Sequence, residues 1–227
     1  MKQVIKSLIK KYTPLKEEYD FKQLDLEKRE KQDADIPKID LSATHINNVQ
    51  VLVNRMELLR LIPAHAVCAE IGVNRGEFSE NILNITSPSK LHLIDAWGDE
   101  KRYHDGLKLE VENKFAQQIQ QGLVEVNIGF SHEVLKTFPD AYFDWVYLDT
   151  DHTYLQTKIE LDILLHKMKP NGIIAGHDYI MGNWKGNVRY GVVESVHEFC
   201  VQNHWQLKYI TINYPESPSF AIQKIID

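Results

Sequence analysis

Five short apolar runs recur along this chain from residue 66 onward: "AVCAEIGV", "LHLIDAW", "VEVNIGF", "FDWVYLD" and "GIIAGHDYI". Helix-like stretches separate them, beginning near Gly76, Asp105, Ser131 and Thr153. The runs are rich in β-branched and aromatic residues and do not alternate cleanly with polar ones. That is the pattern of parallel strands buried on both faces. Such an alternation closes by right-handed crossovers into an open, doubly wound sheet, so an α/β fold is expected. "KPNG" at 169–172 reads as a turn that stops a long helix before the fifth strand. The tail changes rhythm. A helix in "GVVESVHEFCVQNHW" precedes "QLKYITIN" and "SFAIQKI", and only "YPESP" parts these two, so they should pair as an antiparallel hairpin. The expectation is a mostly parallel, seven-stranded, Rossmann-like sheet with an antiparallel C-terminal hairpin.

Before the first run, "INNVQVLVNRMELLRLI" has helical spacing and is ended by Pro63. Residues 16–40 are rich in charge and poor in large apolar side chains, which reads as an arm or linker. The expected division is a charged arm over 1–42 and one domain over 43–227, with the arm available for homo-oligomer contacts. Lysines and apolar residues mix in "MKQVIKSLIKKY", a make-up shared by membrane-surface helices and by ordinary packed N-terminal helices. No apolar run approaches the roughly 20 residues that span a bilayer. Cys68 and Cys200 have no metal-site spacing and read as core residues of a reduced compartment, so the cytoplasm is the expected location. A formal net charge of -6 without a basic stripe argues against a nucleic-acid partner.

The chemistry concentrates at the ends of the runs. Ligands of doubly wound sheets bind beyond the carboxyl ends of the strands, where the strand order reverses. Glu70, Gly72 and Gly76 fall at such a turn, but the spacing is G-x-x-x-G rather than the G-x-G-x-x-G of dinucleotide folds. A carboxylate there repels a pyrophosphate and welcomes an ammonium or a hydroxyl. Asp95, ending "LHLID", can accept hydrogen bonds from both hydroxyls of a ribose. An amine-seeking carboxylate, a close-approach loop and a ribose clamp suit S-adenosylmethionine, a nucleoside with an amino-acid tail and no phosphate.

"EIGVNRG", "LIDAW", "DWVYLDTDHTY" and "IIAGHDY", in this order, resemble the class I S-adenosylmethionine-dependent methyltransferases. More narrowly they resemble the sugar and small-molecule O-methyltransferases related to macrocin O-methyltransferase. The resemblance implies that Glu70 holds the amino-acid end of the cofactor and that Gly72, Asn74 and Gly76 line its side. It implies further that Asp95 binds the ribose with Trp97 nearby, and that Ser131 contacts the adenine. Turn glycines, a helix-capping Ser131 and a core Trp97 are the plain structural alternatives.

Asp149 and Asp178 end neighbouring strands of the inferred sheet, and two adjacent carboxylates repel unless a proton or cation lies between them. A divalent ion, Mg²⁺ first, would answer that repulsion. Metal-dependent relatives place ligands at positions matching Asp149, His177 and Asp178, with His177 a departure that admits Mn²⁺. The base that takes a proton from an acceptor hydroxyl falls on His152 or Asp151, and a helix-capping loop is the structural alternative. Residues 179–191, "YIMGNWKGNVRYG", have the make-up of an acceptor lid, with Trp184, Lys185 and Arg189 as contacts. The implied activity is methyl transfer to a hydroxyl of a sugar or other small hydroxylated acceptor. The alternatives are a nucleoside- or carbohydrate-binding protein without turnover, and an NAD(P)-dependent oxidoreductase.

Overall fold

A computed structural model of the protein describes residues 26–27, 30–31, 33–97, 106–183, 188–212 and 214–226. The chain divides into two units, Met1–Pro37 and Lys38–Asp227, and the second carries every element named below. Its strands are β1 (Gln50–Leu52), β2 (Val67–Ile71), β3 (Lys90–Asp95), β4 (Val124–Ile128) and β5 (Phe143–Leu148). They continue with β6 (Met168–Gly176), β7 (Gly182–Asn183), β8 (Val188–Arg189), β9 (Trp205–Thr211) and β10 (Phe220–Lys224). The helices are α1 (Ala43–Ile46), α2 (Arg55–Leu61), α3 (Glu77–Thr86) and α4 (Leu107–Lys114). They continue with α5 (Ala116–Gln120), α6 (Ser131–Thr137), α7 (Tyr154–Lys167) and α8 (Val192–Asn203).

Eight strands form one sheet in the order β1-β9-β10-β6-β5-β2-β3-β4, and β7 pairs with β8 as a separate small hairpin. All pairings in the large sheet are parallel except those of β10, which runs antiparallel to both β6 and β9. This is the expected doubly wound α/β sheet with its antiparallel C-terminal pair. The strand beyond the expected seven is β1. Within the stretch read as one helix, Gln50–Leu52 instead pairs parallel with Tyr209–Thr211. Asn54 then restarts the chain as a helix, its side chain accepting hydrogen bonds from the backbone amides of Met56 and Glu57 at 3.0 Å each.

The double winding is written into alternate residues of the central strands. Trp145 and Tyr147 of β5 pack in one core layer with Leu58 and Leu59 of α2 and with Phe78 and Ile82 of α3. Phe143, Val146 and Leu148 face the other layer, with Leu161 and Leu164 of α7 and with Val196 and Phe199 of α8. Both cysteines are buried and free, as the sequence suggested. "KPNG" does not simply precede a strand. Met168 already pairs with Phe143, and the next pairing is Ile173 with Trp145, so residues 169–172 bulge out of the ladder. Among the described residues, no helix is long and apolar enough to cross a membrane.

Candidate active site

The strand order reverses between β2 and β5, whose neighbours lie on opposite sides. A cavity of about 570 Å³ opens there, within the range of small-molecule sites. Its lining comes from the loops after β2, β3, β4 and β5, with Arg55 of α2 added. Glu70, Gly72, Asn74, Asp95, Ser131, Asp149, Asp151 and His152 all line this one cavity.

The loop after β2 is held by its neighbours rather than by its own sequence alone. One carboxylate oxygen of Asp95, Oδ2, accepts hydrogen bonds from the amides of Val73 and Asn74, both at 2.8 Å. The indole of Trp97 donates to the Asn74 carbonyl at 2.8 Å. Gly72 has φ +91° and lies so close to β5 that an added Cβ would sit 2.0 Å from the Asp149 carbonyl oxygen. Glycine is therefore required at 72 by a backbone approach within the protein itself. Two expected cofactor contacts lie outside the lining. Gly76 caps α3 at φ +68° against the ring of Phe115, and Trp97 packs in the core while bracing the loop. Both shape the cavity from behind.

Glu70 is buried on the α2–α3 side of the sheet, and its carboxylate accepts a hydrogen bond from the Ser79 hydroxyl of α3. Burial pushes its pKa up to about 8, opposed by the Ser79 bond and reinforced by the charge of Asp149. Near neutrality it is thus poised to ionise when a cationic group arrives. On the opposite wall, Ser131 opens α6 but does not cap it, since Phe130 holds the cap position. The Ser131 hydroxyl donates to Glu160, which also accepts from Thr150 at 3.0 Å and from Gln156 at 2.9 Å. Burial raises the Glu160 pKa, and these donors partly offset the cost. Phe130 stacks on His132 with ring centroids 5.9 Å apart, and both rings line the cavity. A flat aromatic base fits between such groups.

Beyond β5 and β6 the site changes character. His152 Nε2 lies 3.1 Å from an Asp149 oxygen and 2.8 Å from an Asp178 oxygen. Burial opposes a charge on His152, but the two carboxylates outweigh it and raise the pKa to about 9. Burial alone would raise the Asp178 pKa; hydrogen bonds from His152, His177 and Ser217 instead hold it far below the usual carboxylate range. His152 and Asp178 both take left-handed backbone conformations, φ +64° and +54°. Tyr190 covers the imidazole at 4.9 Å between ring centroids.

The residues whose ligand atoms converge are therefore Asp149, His152 and Asp178, within 4.8 Å of one another. This set differs from the expected one by exchanging His177 for His152. His177 Nδ1 lies 3.4 Å from Asp178 and 3.9 Å from Asp149, while its buried Nε2 has no hydrogen-bond partner. The expected base, His152, turns its Nε2 to both carboxylates, which favour the charged form of the ring. Asp151 is occupied too, accepting from the Thr153 amide and hydroxyl at 2.9 Å each as the chain turns into α7. Of the lid residues, Trp184 and Lys185 lie outside the described residues. Arg189 anchors the β7–β8 hairpin to the protein by an ion pair with Glu194 of α8 and a 3.0 Å bond to the Met181 carbonyl.

Sequence reading missed Arg55, Phe130, His132 and Gln156 as lining residues. The aromatic "GF" before Ser131 was a usable signal; Arg55 had none, because only the tertiary fold brings it to the cavity.

Comparison with known proteins decides what this chamber belongs to. Residues 69–179, from β2 to just beyond β6, match a family described as a methyltransferase domain. Over that region the chain is similar to a methyltransferase domain. The surrounding sheet has the class I S-adenosylmethionine-dependent methyltransferase fold. One similar solved structure is the pyocyanin biosynthetic protein PhzM, 13% identical, with a TM-score of 0.56 over 75% of this chain. The chain spans only 54% of PhzM's length. Others are an S-adenosylmethionine-dependent methyltransferase from Aquifex aeolicus and the Streptococcus mutans protein SMU.1697c in complex with SAH. The Aquifex protein is 11% identical, with a TM-score of 0.55 over 75% of this chain and 88% of its own. The Streptococcus protein is 11% identical, with a TM-score of 0.54 over 75% of this chain and 96% of its own. No curated protein matches the sequence.

Proposed function

We propose that this methyltransferase binds S-adenosylmethionine and methylates a hydroxyl of a sugar or other small hydroxylated acceptor, assisted by a divalent cation. One observation carries the reading. Asp149 and His152 open onto the same cavity as Glu70 and Asp95, so cofactor and acceptor chemistry share one chamber. Glu70 offers its carboxylate to an ammonium, Asp95 to ribose hydroxyls, and the Phe130–His132 wall to the adenine. When bound, S-adenosylmethionine supplies an electrophilic methyl group on its sulfonium.

The donor set fits a cation. Two carboxylates and one imidazole converge, and the proton now shared with His152 is what a metal would replace. Oxygen ligands suit Mg²⁺, and the imidazole admits Mn²⁺. Such an ion would lower the pKa of an acceptor hydroxyl. The chain's own residues align that acceptor. Tyr190 packs over His152, and Arg189 beside it is fixed by its ion pair with Glu194.

Calorimetry of chelator-stripped protein against S-adenosylmethionine, with and without Mg²⁺ or Mn²⁺, tests the reading first. Micromolar binding, followed by metal-stimulated release of S-adenosylhomocysteine with hydroxylated acceptors, is the expected result. Binding without turnover across such acceptors would favour a binding protein, and full turnover in chelator would remove the metal.

A further inference from the structure

The acid-rich cavity contains one cation whose position the proposed function leaves unused. Glu70, Glu77, Asp95, Asp149 and Asp151 line it, and among the described residues its arginines are Arg55 and Arg75. Arg75 is an open surface residue paired with Glu110 at 3.7 Å. Arg55 is different, with only 21% of its side chain exposed. Asn54 fixes it as the first residue of α2, and its guanidinium lies 4.6 Å over the Phe78 ring. Its Nε is buried and makes no hydrogen bond; the Glu216 carboxylate lies 3.4 Å away without the alignment for one, and is itself half exposed. The Glu216 end of that pair is solvent-exposed and screened, and the guanidinium also interacts with the buried Tyr147 hydroxyl.

An amino-acid ligand is a zwitterion. Its ammonium is at home among these carboxylates, but its carboxylate would be repelled by every acid in the wall. Arg55 stands over Phe78 of α3 in the cavity lining, close enough to Glu70 for its charge to act on that carboxyl. A guanidinium carries several donors in a planar fork that matches a carboxylate. We propose that Arg55 binds the carboxylate of the cofactor's amino-acid end and gives this site its preference for ligands that retain that carboxylate. The proposal rests on the S-adenosylmethionine reading above and adds a named counter-charge to it.

The test compares two ligands that differ only in this group: S-adenosylhomocysteine and its decarboxylated analogue, the same thioether ending in a propylamine. Calorimetry on the wild-type protein should show S-adenosylhomocysteine binding about 10- to 100-fold more tightly. In Arg55→Met, which keeps the apolar stem over Phe78, that ratio should fall to near one or below while affinity for the analogue does not decrease. Arg55→Gln, which keeps polarity without charge, should behave alike and serves if the methionine variant does not fold. A ratio preserved in either folded variant overturns the proposal, as does an equal weakening of both ligands. If the wild-type protein binds neither ligand, the cofactor reading itself falls, and the Arg55 assignment with it.

Discussion

The two halves of the chamber are built on different physics. Around β2 and β3 the wall is backbone, fixed by neutral and singly charged hydrogen bonds: Asp95 to the amides of Val73 and Asn74, Trp97 to the Asn74 carbonyl. Around β5 and β6 it is a cluster of ionisable side chains that neutralise one another, with His152 between Asp149 and Asp178. The first half is set before any ligand arrives. The second is held by a balance of charge that a cation can take over. Preorganised backbone suits a constant cofactor, and an adjustable charge cluster suits a metal and a variable acceptor.

Gly72 is where the halves touch, and replacing it should break both at once. Gly72→Ala places a methyl group 2.0 Å from the Asp149 carbonyl oxygen at a φ of +91°. A loss of about 3 kcal/mol or more is expected in chemical denaturation, with ligand binding and turnover lost together. An alanine variant of native stability would mean that the loop and β5 are not in contact.

A matched pair of substitutions separates the halves. Asp95→Ala should weaken S-adenosylmethionine binding by about 1–3 kcal/mol, through loss of charge-assisted bonds and of the loop brace. Asp178→Asn should leave that affinity within about twofold while abolishing the response to added metal, because on the proposed reading it removes a metal ligand and leaves the cofactor wall intact. Calorimetry and a metal titration of turnover read the two effects. The contrast collapses if Asp178→Asn loses cofactor affinity as severely as Asp95→Ala.

The smallest effect is a pH dependence confined to the first half. Glu70 has a folded pKa of about 8 against an ordinary value of 4.5. Its protonated form therefore contributes stability that is complete below 4.5 and is lost as pH rises through 8. Glu70→Gln cannot ionise, so it should gain on the wild type between pH 5 and pH 8, by on the order of 1–3 kcal/mol. Denaturation at the two pH values reads this. A constant difference would mean that Glu70 is already ionised in the folded protein.

The parallel strands were legible because strands covered on both faces must be apolar almost throughout, and β2, β3, β5 and β6 are. The short edge strand β1 was not. Its apolar residues satisfy helical spacing as well as pairing, and only a partner far along the chain, β9, decides between them. Carboxylates at strand ends were readable from the general placement of ligand sites in such sheets. Which histidine joins them was not. His152 turns back toward Asp149 through a left-handed backbone that the sequence does not announce, while His177 keeps Nδ1 beside Asp178 and turns Nε2 inward. Arg55 illustrates the same limit, since no local pattern says that the start of a helix outside the strand–helix repeat will reach the cavity.

The partnership of β1 with β9 also orders events in time. A chain emerging from the ribosome presents Gln50–Leu52 long before Trp205–Thr211 exists, so β1 can be seated only after β9 has been made. Arg55 follows directly on that strand, and its place in the cavity wall waits on the same pairing. A nascent protein can lay down the β2–β6 frame and still lack one side of its pocket. Completion of the chamber thus waits on the synthesis of β9.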